Sequence, residues 1–187
     1  MSSERDQPDI RTLDSRVVYE DRWVRLRQDQ IERRDGSQGT YAVLEKPDFA
    51  LVIPAENGGF HLVEEYRYPI QRRTWSFPQG GFPPGQRGSP AELARLELSQ
   101  ETGLRAGELT ELGFLHCSHG TTDQGCHIFL ATGLQPGAPE REPEEQDMRQ
   151  QFVTRAQFEE MVRQGMITDD SSLAGYALLV LHEKRPR

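Results

Sequence analysis

Apolar and polar residues alternate along much of the first quarter of the chain. WVRLRQDQI (23–31) reads as a strand, Val17–Tyr19 as a shorter one, and TYAVLEK (40–46) as a strand returning after the turn signal DGSQG. Together they predict a small antiparallel β unit over residues 13–47, preceded by a polar, frayed N-terminus at 1–12. FALVIPA (49–55) and GFHLVEEYRY (59–68) flank Glu56–Asn57–Gly58, a strong hairpin signal. TWSFP (74–78), Leu109–Cys117, His127–Ala131 and QFVT complete the expected strands. Helical periodicity covers the stretch after Ser89, then Arg155–Gln164 and Ser171–Glu183, the last capped by Asp170 or Ser171. Residues 134–146, rich in Pro and Glu, read as a loop or mobile segment. Residues 48–187 thus form a second domain, a mixed sheet with helices packed on it, of α+β or α/β sandwich class.

The helix after Ser89 carries the chemistry. Ser89 is a good N-cap, Pro90 suits the first helical position, Glu92 completes a capping box and Gly103 supplies a left-handed stop. At ~100° per residue, Glu97, Gln100 and Glu101 share an arc of roughly 100°. Leu93, Ala94, Leu96 and Leu98 flank that arc, and Glu92, Arg95 and Ser99 lie opposite, on a solvated face. The two acids therefore point toward the protein body. Like charges at this spacing cost a few tenths of a kcal/mol on an exposed helix and more when buried, unless a cation neutralises them. The preceding Gly- and Pro-rich loop, 80–88, brings backbone close to a ligand. The pattern points to a divalent-metal site for a phosphate-bearing substrate; the competing reading is a solvated face with an accidental acid pair.

Composition narrows the partners. The 187-residue chain has a formal net charge of -8, which argues against general nucleic-acid or membrane-surface binding. A polyanionic substrate then needs a local basic patch, and Arg67, Arg72 and Arg73 supply candidates. The apolar runs are too short to span a bilayer, and MSSERDQPDI has no signal-peptide core. Cys117 and Cys126 read as core thiols in a reduced, cytoplasmic setting rather than as a disulfide framework.

Residues 80–104 resemble the box of the Nudix hydrolases, G-x5-E-x7-R-E-U-x-E-E-x-G-U with U apolar. Gly80 opens it, and Glu97, Leu98, Gln100, Glu101, Gly103 and Leu104 fill its second half in register. SFPQG (76–80), SHGTTDQGCHIFLA (118–131), EEYRY (64–68) and ITDDSSLAGYALLVL extend the resemblance to the ADP-ribose pyrophosphatase, or nucleoside diphosphate sugar hydrolase, branch over roughly residues 17–185. That resemblance implies an α/β/α sandwich. It also implies a metal set of Gln79 (through its backbone carbonyl), Glu97, Gln100 and Glu101, and a homodimer joined by the N-terminal unit. Arg67 matches a substrate-contacting arginine of the branch, with Arg73 and Ser118 as further substrate contacts. Trp23 is the aromatic for a base, against the commoner reading of such residues as packing. Mg2+, or Mn2+ in its place, suits one or two carboxylates plus waters and substrate phosphates.

Four positions depart from the pattern. The box loop is about two residues longer near Arg87–Ser89, its first glutamate falls near Gln86, Leu96 replaces the arginine, and Gln100 replaces a glutamate. Gln124 stands where the branch places a catalytic glutamate, with Asp123 and His119 in the same loop as substitutes. The resemblance implies an enzyme that cleaves the pyrophosphate of a nucleotide sugar, ADP-ribose first. The amides leave a second reading open, a catalytically weakened Nudix-fold module that binds a nucleotide or a partner.

Overall fold

The computed structural model describes residues 9–83, 85–141 and 145–185. They divide into two compact units. The first holds the chain up to Pro47 together with His116–Gln124; the second holds Asp48–Leu115 and everything from Gly125 onward.

The first unit is a three-stranded antiparallel sheet of β1 (Ile10–Glu20), β2 (Arg25–Arg33) and β3 (Gln38–Glu45), in that order. Asp21 makes the first turn, its Oδ1 accepting from the backbone N–H of Trp23 and Val24 at 2.7 and 2.9 Å. Gly36, at φ 81, makes the second. The frayed end expected at 1–12 needs correction at its last three residues, because Ile10–Thr12 belong to β1. Polar residues hold that strand through cross-strand partners that hydrophobic periodicity does not register. Arg11 pairs with Glu32, Ser15 with Asp29 and Arg16 with Gln28. Residues 1–8 of the expected frayed end lie outside the described residues. The loop 116–124 joins this unit by long-range bonds, Leu44 N–H to the Thr121 carbonyl and the Tyr41 hydroxyl to the Gly120 carbonyl.

The second unit contains β4 (Phe49–Glu56), β5 (Gly59–Arg67), β6 (Arg72–Ser76), β7 (Gln79–Gly80), β8 (Glu108–His116), β9 (Gly125–Thr132) and β10 (Arg149–Thr154). The main path runs β10-β5-β4-β9-β8, with β6 paired to β5 and β7 to β4. β4 and β9 are parallel and β4 and β5 antiparallel, so the sheet is mixed. Asn57 and Gly58 both take positive φ (47° and 72°), the primed turn that suits the strand twist of a tight hairpin. The helices are α1 (Pro90–Thr102), α2 (Arg155–Arg163) and α3 (Asp170–Glu183).

Alternation along β4 explains the layers. Ala50 and Val52 face α1, packing with Leu93, Ala94 and Leu98. Leu51 and Ile53 face the other way, against Gly175 of α3, where a Cβ would lie 3.2 Å from the Leu51 side chain. Helices therefore cover both sides of the sheet, an α/β/α sandwich. Phe60, Phe77, Phe158 and Tyr176 form an aromatic cluster on the α3 side. The cap expected for α3 shifts by one residue: Asp169, not Asp170 or Ser171, is the N-cap and accepts from Ser172 N–H at 2.7 Å. No described helix is long and apolar enough to cross a membrane.

Candidate active site

Helix α1 forms as its local signals predict. The Ser89 hydroxyl accepts from Glu92 N–H, the Glu92 carboxylate accepts from Ser89 N–H at 2.7 Å, and Gly103 closes the helix at φ 73. Its inner face buries Leu93, Ala94 and Leu98 and, in the same stripe, Glu97 (5% exposed) and Glu101 (2%). Burying two carboxylates beside apolar neighbours is unfavourable unless something neutralises them.

Strand β7 and the turn before β10 crowd these acids. β7 lies against α1, and Gln79 N–H donates to Glu101 Oε2 at 3.2 Å. Gly80 brings the backbone so close that a Cβ there would sit 2.6 Å from Glu97 Oε2. Glu145, just before β10, supplies a third carboxylate, and one oxygen each of Glu97, Glu101 and Glu145 lie within 4.8 Å of one another. At an effective dielectric near 20, each ionised pair at that range repels by roughly 3–4 kcal/mol. Glu101 responds accordingly: burial, then Glu97, Glu145 and Glu65, hold its carboxyl well above the usual carboxylate range, with Arg67 pulling it back. Glu65 on β5 is also raised, chiefly by burial. A cluster of three hard oxygen donors that cannot all ionise alone fits a divalent cation, which would restore all three to the charged form.

Neither Glu145 nor Glu65 follows from sequence periodicity. Glu65 sits in EEYRY, where β5 alternation places it beside Arg67, and that proximity is the available signal. Glu145 lies in the Pro/Glu-rich stretch read as a loop, and long-range bonds place it. Of the expected loop or mobile segment 134–146, residues 142–144 lie outside the described residues, while Glu140 N–H bonds the Gln100 carbonyl and Arg141 Nε bonds the Glu101 carbonyl.

The expected substrate contacts separate. Arg67 pairs with Glu65 at 2.6 Å and lines a cavity of about 430 Å3 with Pro69, Thr74, Ser76 and Asp169. Arg72 donates to the Thr168 hydroxyl at 2.6 Å. Arg73 is committed elsewhere. Its Nε donates to Glu64 Oε2 at 2.9 Å, its Nη1 to the Asp147 carboxylate, and its Nη2 to the carbonyls of Glu64 and Asp147.

The remaining expected residues lie in the first unit. Trp23 is 48% exposed, with the Arg22 guanidinium 4.6 Å from its ring centre. Ser118 takes φ 44 and its carbonyl accepts from Thr121 N–H. Gln124 donates from Nε2 to the Pro47 carbonyl at 2.7 Å. An ionised glutamate in its place could not make that bond, since a carboxylate has no proton to give. The identity of residue 124 thus suits an anchor, and an amide is no proton acceptor at neutral pH. Asp123 accepts from Lys46 N–H, and His119 lines a separate cavity of about 360 Å3 with Tyr41 and His116. Cys126 is buried and Cys117 half-buried, and the two are not joined by a disulfide.

Comparison with known proteins bears on the family and the fold. Residues 45–171 match the NUDIX domain and residues 10–44 the nucleoside diphosphate sugar hydrolase N-terminal domain. An ADP-ribose pyrophosphatase of Mycobacterium tuberculosis is 32% identical over 93% of this chain and 84% of its own length. An ADP-ribose pyrophosphatase of Bacillus subtilis is 25% identical over 73% of this chain and 74% of that protein. A methanol dehydrogenase activator of Bacillus methanolicus is 27% identical over 66% of each chain. A crystal structure of an ADP compounds hydrolase superposes with a TM-score of 0.83 over 95% of each chain at 20% identity, which shows the shared fold.

Proposed function

The chain belongs to the Nudix family and is a Nudix hydrolase, and on that premise we propose that it hydrolyses the pyrophosphate of a nucleoside diphosphate sugar, with ADP-ribose as the first substrate and Mg2+ as the cation. The observation that carries this reading is the acid triad of buried Glu97 and Glu101 with half-buried Glu145. The names of the two pyrophosphatase relatives and the matched N-terminal domain support the substrate class.

Glu97, Glu101 and Glu145 would hold the cation, with the Gln79 carbonyl and the Gln100 amide as neutral additions. When bound, a divalent cation supplies charge to the diphosphate and acidity to a water. The protein does the rest. Arg67 binds a phosphate oxygen through a guanidinium already oriented by Glu65. Burial of Glu97 and Glu101 keeps bulk water from screening that charge. Gln124 steadies its own loop rather than moving a proton, so proton acceptance falls to the acids of the cluster. In the first unit, the Trp23 indole offers a stacking face for a base, and Ser118 a hydroxyl contact. Ile10, Leu13, Val17 and Tyr19 lie exposed along β1, which suits a homodimer joined through this sheet. Reduced Cys117 and Cys126 suit a cytoplasmic setting.

Turnover of ADP-ribose to AMP and ribose 5-phosphate tests the reading. Product formation with Mg2+, abolished by a chelator and restored by Mg2+ or Mn2+, is the expected result. A panel of ADP-, GDP- and UDP-sugars with no turnover at millimolar Mg2+ would defeat it.

A further inference from the structure

The turn that carries Glu145 is pinned at three points, and all the pins converge on arginines or on the turn itself. Met148 N–H donates to the Glu145 carbonyl at 2.9 Å, closing the turn. Arg141 donates from Nη1 to the Met148 carbonyl at 2.5 Å and from Nε to the Glu101 carbonyl at 3.2 Å, tying the turn to the end of α1. Arg73 grips Asp147 by both its carboxylate and its carbonyl, and grips Glu64 in the same way. Glu64 is held in turn by Arg149, at 3.4 Å, the first residue of β10. The Met148 side chain is 3% exposed and plugs the turn into the core.

Charge makes these pins necessary. Glu145 and Asp147 enter a region that already holds Glu64, Glu65, Glu97 and Glu101. Acids at this density repel, and an exposed turn would move away to relieve them. A guanidinium with its donors fanned across two carboxylates and two carbonyls fixes the turn and offsets the repulsion together.

We propose that Arg73 is a positioning residue: through Asp147 and Glu64 it holds Glu145 against Glu97 and Glu101, and it does not touch substrate. The inference rests on the reading of those three acids as cation ligands. It differs from the substrate-binding role that the sequence suggests for Arg73, and the two roles move different observables. A substrate arginine sets KM and leaves cation affinity alone. A positioning arginine sets cation affinity and kcat and leaves KM alone.

The test uses the full chain and calorimetric titration of Mn2+ without nucleotide, followed by kcat and KM for ADP-ribose. Arg73→Met keeps the aliphatic stem and removes the fork. We expect Mn2+ affinity to fall roughly 10–100-fold, the range for losing an outer partner of a metal ligand, with KM changed less than about threefold. Asp147→Asn, on an exposed side chain, should move both quantities the same way by less, and it guards against a folding defect at Arg73. Glu145→Gln combined with Arg73→Met should be little worse than Glu145→Gln alone, because both remove one function. Unchanged Mn2+ affinity with a raised KM would overturn the proposal and return Arg73 to the substrate. Additive losses in the double variant would overturn it too. Failure of the unsubstituted protein to bind millimolar Mn2+ would instead remove the metal reading itself, and this inference with it.

Discussion

Two regions deliver the acids of the site by opposite means. Helix α1 brings Glu97 and Glu101 through rules that act within 15 residues: a cap, a proline, a stripe of leucines and a terminal glycine. The turn 145–148 brings Glu145 through bonds to Arg141 and to Arg73, the latter 74 positions from Asp147 and itself held by Glu64. One element is specified by its own neighbours in sequence. The other exists only when the sheet is already assembled. A cluster of acids can therefore be half legible in a sequence and half hidden, and the hidden half is the part held by side chains rather than by backbone.

Substitutions separate the two regions. The largest effect is expected for Glu101→Gln, which removes the most buried acid of the cluster. Metal-dependent kcat/KM should fall on the order of 10²–10³-fold, since a bound cation contributes several kcal/mol to such reactions. A loss below tenfold would mean the helix does not carry the chemistry. Gly80→Ala comes next. The added methyl pushes on the far end of the Glu97 side chain, so the fold should tolerate it while Glu97 turns away. Turnover should fall by about 10², the effect of a misplaced group, with the melting temperature nearly unchanged. A large drop in melting temperature would show that the backbone, not the carboxylate, had to yield.

Ser89→Ala addresses the helix alone. It removes a capping-box bond and should lower stability by about 1 kcal/mol in denaturant unfolding. Cation affinity of the folded protein should hardly change, in contrast to Asp147→Asn. The smallest effect is a pH signature of the same cap. Bonds from Ser89 hold the Glu92 carboxyl below its ordinary range. A depressed folded-state pKa stabilises above the unfolded value and is lost as pH falls through the folded one. The stability difference between the unsubstituted protein and Glu92→Gln should thus be present at pH 7 and shrink in acid, below the usual carboxylate range. A difference that grows in acid would contradict the capping role.

The sequence was legible wherever period and punctuation act locally. The Asn57–Gly58 hairpin, α1 with both its caps, and the alternation of β4 between two helical layers all follow from neighbouring residues. The start of β1 does not, because Arg11, Ser15 and Arg16 join the sheet through polar partners on β2. Arg73 reads as a basic-patch candidate because a sequence does not show that Glu64 and Asp147 engage Nε, Nη1 and Nη2 of its guanidinium. Gln124 read as a lost base because the Pro47 carbonyl that uses its amide lies 77 positions earlier. Glu145 adds a third carboxylate beside Glu97 and Glu101, close to the helix position where Gln100 withholds one.

The central claim is a location: one divalent cation among Glu97, Glu101 and Glu145. Crystals soaked in millimolar Mn2+, measured at the manganese absorption edge, test it most directly. The account predicts an anomalous peak about 2.0–2.3 Å from carboxylate oxygens of all three residues, near the spacing of hard divalent ions to oxygen. A peak elsewhere, or an ordered triad with no peak, would contradict it.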